Sequence, residues 1–212
     1  SLSDFPFNLK KMSVSGALFD LVKMNDVSKN VICRKSADWV LERTLAWAKD
    51  YNPEFYALLD ADREKARAIL NIDRENPKPR KDIAKWADVP EYVSYFYDYR
   101  PNYSVLPENI TPSDAVSVLN MYREVWNISD DKDAWFSRIK DICEPLGFTP
   151  NVKEYKANPD AYKGHVGDVS TIIRVAITSR TNTPDLYEIM KVLGETEVNR
   201  RLDDMRHSLG ER

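Results

Sequence analysis

"DVSTIIRVAITSR", residues 168–180, is the stretch on which the fold turns. It is apolar and crowded with β-branched side chains: Val169, Thr171, Ile172, Ile173, Val175, Ile177 and Thr178. Such side chains are stiff at χ1 and sit well in strands, so spacing alone leaves helix and strand both open. We read the run as a buried helix. That reading makes the chain all-α, because the other periodic segments are all spaced as helices.

Downstream, Thr183-Pro184-Asp185 has the order of a helix start, Thr183 as cap and Pro184 at the first turn, with Gly194 as the stop. A charged helix follows. Upstream, "NPDAYKGHVG" (158–167) reads as a loop, and "SDDKDAWFSRIKDICEPLGF" (129–148) as one helix that turns Trp135, Ile139, Ile142, Cys143 and Leu146 inward and stops at Gly147. Thr111-Pro112-Ser113-Asp114 opens a helix that buries Ala115, Val118, Leu119, Tyr122 and Trp126. In the first half, Asp20 caps Leu21, Met24 and Val27, Ser36 precedes "ADWVLERTLAWAKDY" (37–51), and Asn52-Pro53 starts a third helix. Ala66, Ile69 and Leu70 form the stripe of a fourth, and helical spacing recurs over 83–86 and 90–97. "DRENPKPRKD" (73–82) is a polar loop, and the proline-rich "YRPNYSVLPENITP" (99–112) is the best linker. The expectation is two helical bundles, 34–108 and 109–212, after a leading segment 1–33. No internal repeat of fixed period is evident.

The chain has 212 residues, enough for one large or two smaller cores, with 42% hydrophobic and 31% charged residues. A net charge of −3 argues against unspecific coating of nucleic acid but leaves room for a local basic face. Six glycines are too few for a glycine-rich nucleotide fold. Cys33 and Cys143 are far apart and read as reduced cysteines of a cytosolic protein. No signal peptide or membrane-length apolar run appears. The opening "SLSDFPFNLKK" lacks an initiator Met and reads as a piece cut from a longer parent.

No catalytic constellation stands out. His165 and His207 fit no metal-binding spacing, so neither a metal nor a catalytic residue is expected. The acid pairs Asp130/Asp131 and Asp203/Asp204 read as solvated or capping groups at helix ends. What remains resembles a surface for single-stranded RNA, whose bases are splayed out, stacked on aromatics and bonded at their edges. Lys78, Arg80 and Lys81 stand beside Trp86, Tyr92, Tyr95, Phe96 and Tyr97, although packing alone could account for the aromatics. Arg174 interrupts "TIIRVAI", where a charge needs either an ion pair or a ligand at the mouth of a bundle.

"KMSVSGALFDLVKMNDVSKNVI" (11–32), "KPRKDIAKW" (78–86) and "GHVGDVSTIIRVAITSRTNTPDLYEIMKVLGETEVNRRL" (164–202) together resemble the C-terminal part of bacterial-type glutamyl-tRNA synthetases. The resemblance spans essentially the whole chain. It implies that residues 1–33 end a stem-contact region and that two helical anticodon-binding domains follow. The partner would be glutamate tRNA, with glutamine tRNA an open question, and the protein a cytoplasmic monomer. The catalytic domain with its HIGH and KMSKS motifs, and with it ATP and Mg²⁺, would lie in the parent; the fragment itself would hold no cofactor. KMSVS (11–15) is not a damaged KMSKS loop, because Val14 offers no cation for phosphates; Ser13, Ser15 and Gly16 read as a turn.

The resemblance also implies roles. Pro79-Arg80-Lys81-Asp82 matches a setting in which the arginine reads the third anticodon base and helps reject glutamine tRNA. Arg174, Thr183, Pro184 and Leu186 fall on positions that contact the first two bases. Outside the resemblance, Lys78, Lys81 and Arg180 are phosphate candidates, Arg180 in the second rank with Thr178 and neither of these two with a close family counterpart. The rival reading is a helical protein-interaction scaffold with no RNA role.

Overall fold

The computed structural model describes residue 8, residue 10 and residues 19–210. The turn expected at Ser13, Ser15 and Gly16 lies outside them. Four helices open the described chain, and each begins on a side chain that takes up an orphan N–H. Asp20 caps α1 (Leu21–Ile32) through the Lys23 amide, and Ser36 caps α2 (Ala37–Tyr51) through Trp39. Asn52 ends α2 and caps α3 (Pro53–Ala61), while Asp62 ends α3 and caps α4 (Arg63–Asn71). One-residue joints fold α2, α3 and α4 against one another, burying Val40, Leu41, Leu45, Leu59, Ile69 and Leu70. Arg74 ties off this end of the molecule by donating to the carbonyls of Ile32, Lys35 and Leu70. After the loop, a 3-10 turn at 86–88 leads into α5 (Val89–Tyr97). Ile83, expected in a helix, instead sits buried in irregular backbone.

The second half is built around α9 (Val166–Thr178), the run on which the fold turned, and it is a helix. Val169, Ile172, Ile173, Val175, Ala176 and Ile177 are all 0% exposed. The hydroxyls of Ser170, Thr171 and Thr178 bond the carbonyls four residues back, so β-branched and hydroxyl residues are accommodated without orphaned donors. His165 and Asp168 form a reciprocal cap, each accepting an amide N–H from the other's neighbourhood. A Cβ on Gly167 would come within 2.5 Å of the His165 ring, which is why that position carries glycine. Packed around α9 are α6 (Pro112–Val125), α7 (Lys132–Asp141) and α11 (Glu195–Gly210), and α10 (Leu186–Leu193) packs on α11.

Three local expectations change. The helix expected over 129–148 ends at Asp141 and passes through a 3-10 turn (144–146) to Gly147, whose φ of 83° makes the stop. The stretch from 148 onward is more than a loop. It holds α8 (Val152–Ala157) and two parallel two-residue strands, β1 (Phe148–Thr149) and β2 (Gly164–His165). Trp126 is half-buried at the end of α6, because its indole N–H reaches the Asn199 side chain at 2.7 Å instead of entering the core.

The proline-rich 99–112 segment is no loose tether. Tyr99 donates to the Ala176 carbonyl at 2.6 Å, and the Asn102 amide donates to Ser179 Oγ at 2.9 Å, so it is strapped to the end of α9. Buried apolar residues from both sides of it belong to one continuous cluster, and α4 touches α10. The architecture is all-α, with the small parallel pair as its only sheet among the described residues.

Candidate nucleic-acid interface

The loop after α4 is placed by Asp73, which adopts φ 60°, a left-handed conformation that Asp tolerates better than most residues. Its amide donates to Glu188 Oε2 at 3.2 Å, and its carboxylate accepts the Asp185 amide at 2.8 Å and the Asn76 side chain at 2.6 Å. The loop is thereby clasped to the start of α10. Burial at the clasp pushes the Glu188 carboxyl up from its ordinary range. Further along the loop, Arg80 grips Asp82 with a fork, Nε at 2.7 Å and Nη2 at 3.1 Å, while Nη1 reaches Asn182 Oδ1 at 3.3 Å. The bond to Asp82 holds the Arg80 guanidinium more firmly charged than usual. Lys78 and Lys81 are exposed on either side.

The facing turn follows α9. Arg174 uses Nη1 to donate to the Thr183 hydroxyl and, at 2.9 Å, to the Pro184 carbonyl. The ion pair weighed in the sequence reading is not what holds that nitrogen: two neutral oxygens do. Desolvation lowers the Arg174 pKa, against the pull of Asp185. Thr183 is 7% exposed, Pro184 is buried and Leu186 is 2% exposed, so these three shape the turn from within. Thr183 is not the cap of α10. Asp185 is, accepting the Glu188 amide at 3.0 Å, because the Thr183 hydroxyl is already engaged by Arg174.

Arg180 lies in the same turn. It donates to the Glu91 carbonyl at 2.8 Å, to the Glu91 carboxylate and to Ser94 Oγ at 3.0 Å, with its guanidinium 5.2 Å from the Tyr95 ring centre. Arg180, Arg80 and Arg174 all act on the Tyr95 phenol, which burial nonetheless pushes up to about 12. The aromatic run therefore divides. Tyr95 and Phe96 are core residues at 3% and 6% exposure, whereas Trp86, Tyr92 and Tyr97 are half-buried. Arg80 lines a small cavity with Arg74, Asp82 and Tyr92, apart from the one that Arg174 lines. The two arginines meet across the 182–184 turn, and Arg174 opens onto a cleft of about 330 Å³ against α7.

Residues 153–206 match a family model described as an anticodon binding domain. The chain is 44% identical over 94% of its length to the glutamate–tRNA ligase of Clostridium perfringens (strain 13 / Type A), and spans 37% of that protein. It is 44% identical over 95% of its length to that of Acetivibrio thermocellus, again spanning 37%, and 39% identical over 94% to that of Sorangium cellulosum, spanning 36%. Over nearly its whole length the chain is similar to part of these bacterial glutamate–tRNA ligases. It spans little more than a third of the curated relatives it matches.

The other chemistry-bearing residues have structural uses. His165 caps α9, and Cys143 is buried, its thiol pushed up to about 11 by desolvation. Asp131 caps α7 and Asp130 is gripped by Arg138. Asp203 and Asp204 are not at a helix end; they lie within α11, paired with Arg206 and Arg200. Among the described residues no group of three His, Cys, Asp or Glu could hold a metal ion. Sequence reasoning missed Asp73, whose role depends on a positive φ that no pattern announces, and Asn182, an exposed polar residue in a loop. Asp82 was quoted but given no task, although an acid two residues from an arginine is a legible ion-pair spacing.

Proposed function

We propose that this chain is the C-terminal anticodon-binding part of a glutamate–tRNA ligase and that its work is recognition of the tRNA anticodon. One observation carries the reading. Arg80 and Arg174, from opposite sides of the proline-rich segment, are bonded to Asn182 and Thr183, adjacent residues of a single turn. Two base-reading arginines held on one turn would present their remaining donors to neighbouring bases of one loop. Arg80 would address the third anticodon base, and the Arg174–Thr183–Pro184 turn, with Leu186 beneath it, the first two. Lys78, Lys81 and Arg180 would meet phosphates, setting position without reading sequence. The division into 1–33, 34–108 and 109–212 belongs to this reading, as do a monomeric state and the cytoplasm.

The parent would attach glutamate to tRNA with ATP and Mg²⁺ bound in a catalytic domain outside these 212 residues. The chain alone should then show no ATP–pyrophosphate exchange. A scaffold without an RNA role is not favoured by the relatives found. Filter binding of glutamate tRNA against the same tRNA with a substituted anticodon tests the reading: a clear preference for the former is expected, and equal affinity would overturn it. Glutamine tRNA in the same assay reports whether Arg80 discriminates.

A further inference from the structure

Arg174 has two donors to spare. Nη1 is committed to Thr183 and Pro184, but among the described residues Nε and Nη2 meet no acceptor, and neither is sealed from solvent. Arg174 itself lines the 330 Å³ cleft between α9 and α7. Phe136 of α7 lines the same cleft; it is half-buried, contacts Trp135 with ring centroids 6.2 Å apart and carries Lys140 Nζ at 4.7 Å. Leu186 also lines the cleft.

The charges decide what such a cleft takes. Lys132 and Arg174 are balanced by Asp133 and Asp185, and Lys132 is already bound to Asp185 at 2.6 Å. A phosphate would meet two carboxylates and little net attraction. A flat heterocycle carrying both donors and acceptors meets its complements: guanidinium donors from Arg174, an acceptor in Asp133, and an aromatic face. We infer that Phe136 is a stacking platform for a single unstacked RNA base whose edge is bonded by Arg174. The inference rests on the anticodon reading above and deepens it, adding a binding residue on α7 that neither the sequence pattern nor the comparisons single out.

The test uses the full chain, hairpin RNAs of the anticodon stem–loop, and fluorescence anisotropy. Wild type is compared with Phe136→Ala and with Phe136→Leu, which keeps apolar packing but removes the aromatic face. Each protein meets the intact hairpin and three hairpins with one abasic anticodon position. Both variants should bind the intact hairpin about 5- to 100-fold more weakly, with an unchanged slope of log Kd on log salt. On one abasic hairpin the variants and wild type should bind alike, which identifies the stacked base. Phe136→Leu binding like wild type would overturn the inference, as would the same loss on every abasic hairpin. If wild type failed to bind the intact hairpin, the anticodon reading itself would fall, and this inference with it.

Discussion

Arg80 shows how an arginine on a loop can be held in one orientation. A free guanidinium samples many rotamers, but here Asp82 takes up one edge of the fork and Asn182 a third nitrogen, fixing the plane. Replacing Arg80 with Ala should weaken binding to the anticodon hairpin by about 1–3 kcal/mol. Arg80→Lys should keep the charge yet lose most of the preference at the third anticodon position. Titrations with hairpins varied at that base check both expectations. A second arginine, Arg201, is legible only in three dimensions. It is 2% exposed, lies 3.9 Å from the Tyr99 ring centre, and donates to the Ile177 carbonyl and to Glu197. Arg200, joined by Arg201, holds the Glu197 carboxyl at about 2, against an ordinary 4.5. A carboxyl lowered on folding stabilises fully above its unfolded pKa and loses that contribution as pH falls through its folded one. Thermal melts should therefore show wild type losing stability between about pH 4.5 and 2 more steeply than Glu197→Gln.

Elements are where the sequence was most readable. Caps at Asp20, Ser36, Asn52 and Thr111 all stand as side chains bonded to first-turn amides, because a cap is a local event between residues three apart. The failure at Thr183 has the same logic in reverse: its hydroxyl was claimed by Arg174, nine residues away in another element. Likewise β1, β2 and α8 escaped notice because two-residue strands are defined by pairing with each other and not by any periodicity. The Asp73 clasp is also a non-local feature. Asp73→Ala should cost about 1–3 kcal/mol of stability by leaving the Asp185 amide and the Asn76 side chain without their acceptor. It should also weaken hairpin binding although Asp73 reads no base, because the loop bearing Arg80 would no longer be held to α10. Denaturant unfolding and anisotropy on the same preparation separate the two effects.

On the scale of the whole molecule, an acidic chain brings several cations together beside the carboxylates that hold them. Net charge is −3, yet Lys78, Arg80, Lys81, Arg174 and Arg180 gather where the 73–82 loop meets the end of α9. Composition alone argued against nucleic acid in general and was silent on this concentration, which arises only when two loops distant in sequence are folded together. The resemblance brought Arg174, Thr183 and Pro184 to the same turn in advance; it could not say that Asn182 would join Arg80 to it. Lys78→Ala with Lys81→Ala should weaken binding to all RNAs and reduce the salt slope by about 2, leaving the anticodon preference intact. The central claim is that the two arginines on one turn read different bases of one anticodon. Its most direct test is a matrix of dissociation constants, wild type, Arg80→Ala and Arg174→Ala against hairpins substituted singly at each anticodon position. Arg80→Ala should abolish discrimination at the third position only, and Arg174→Ala at the first two. Uniform loss across every hairpin for both variants would contradict the account.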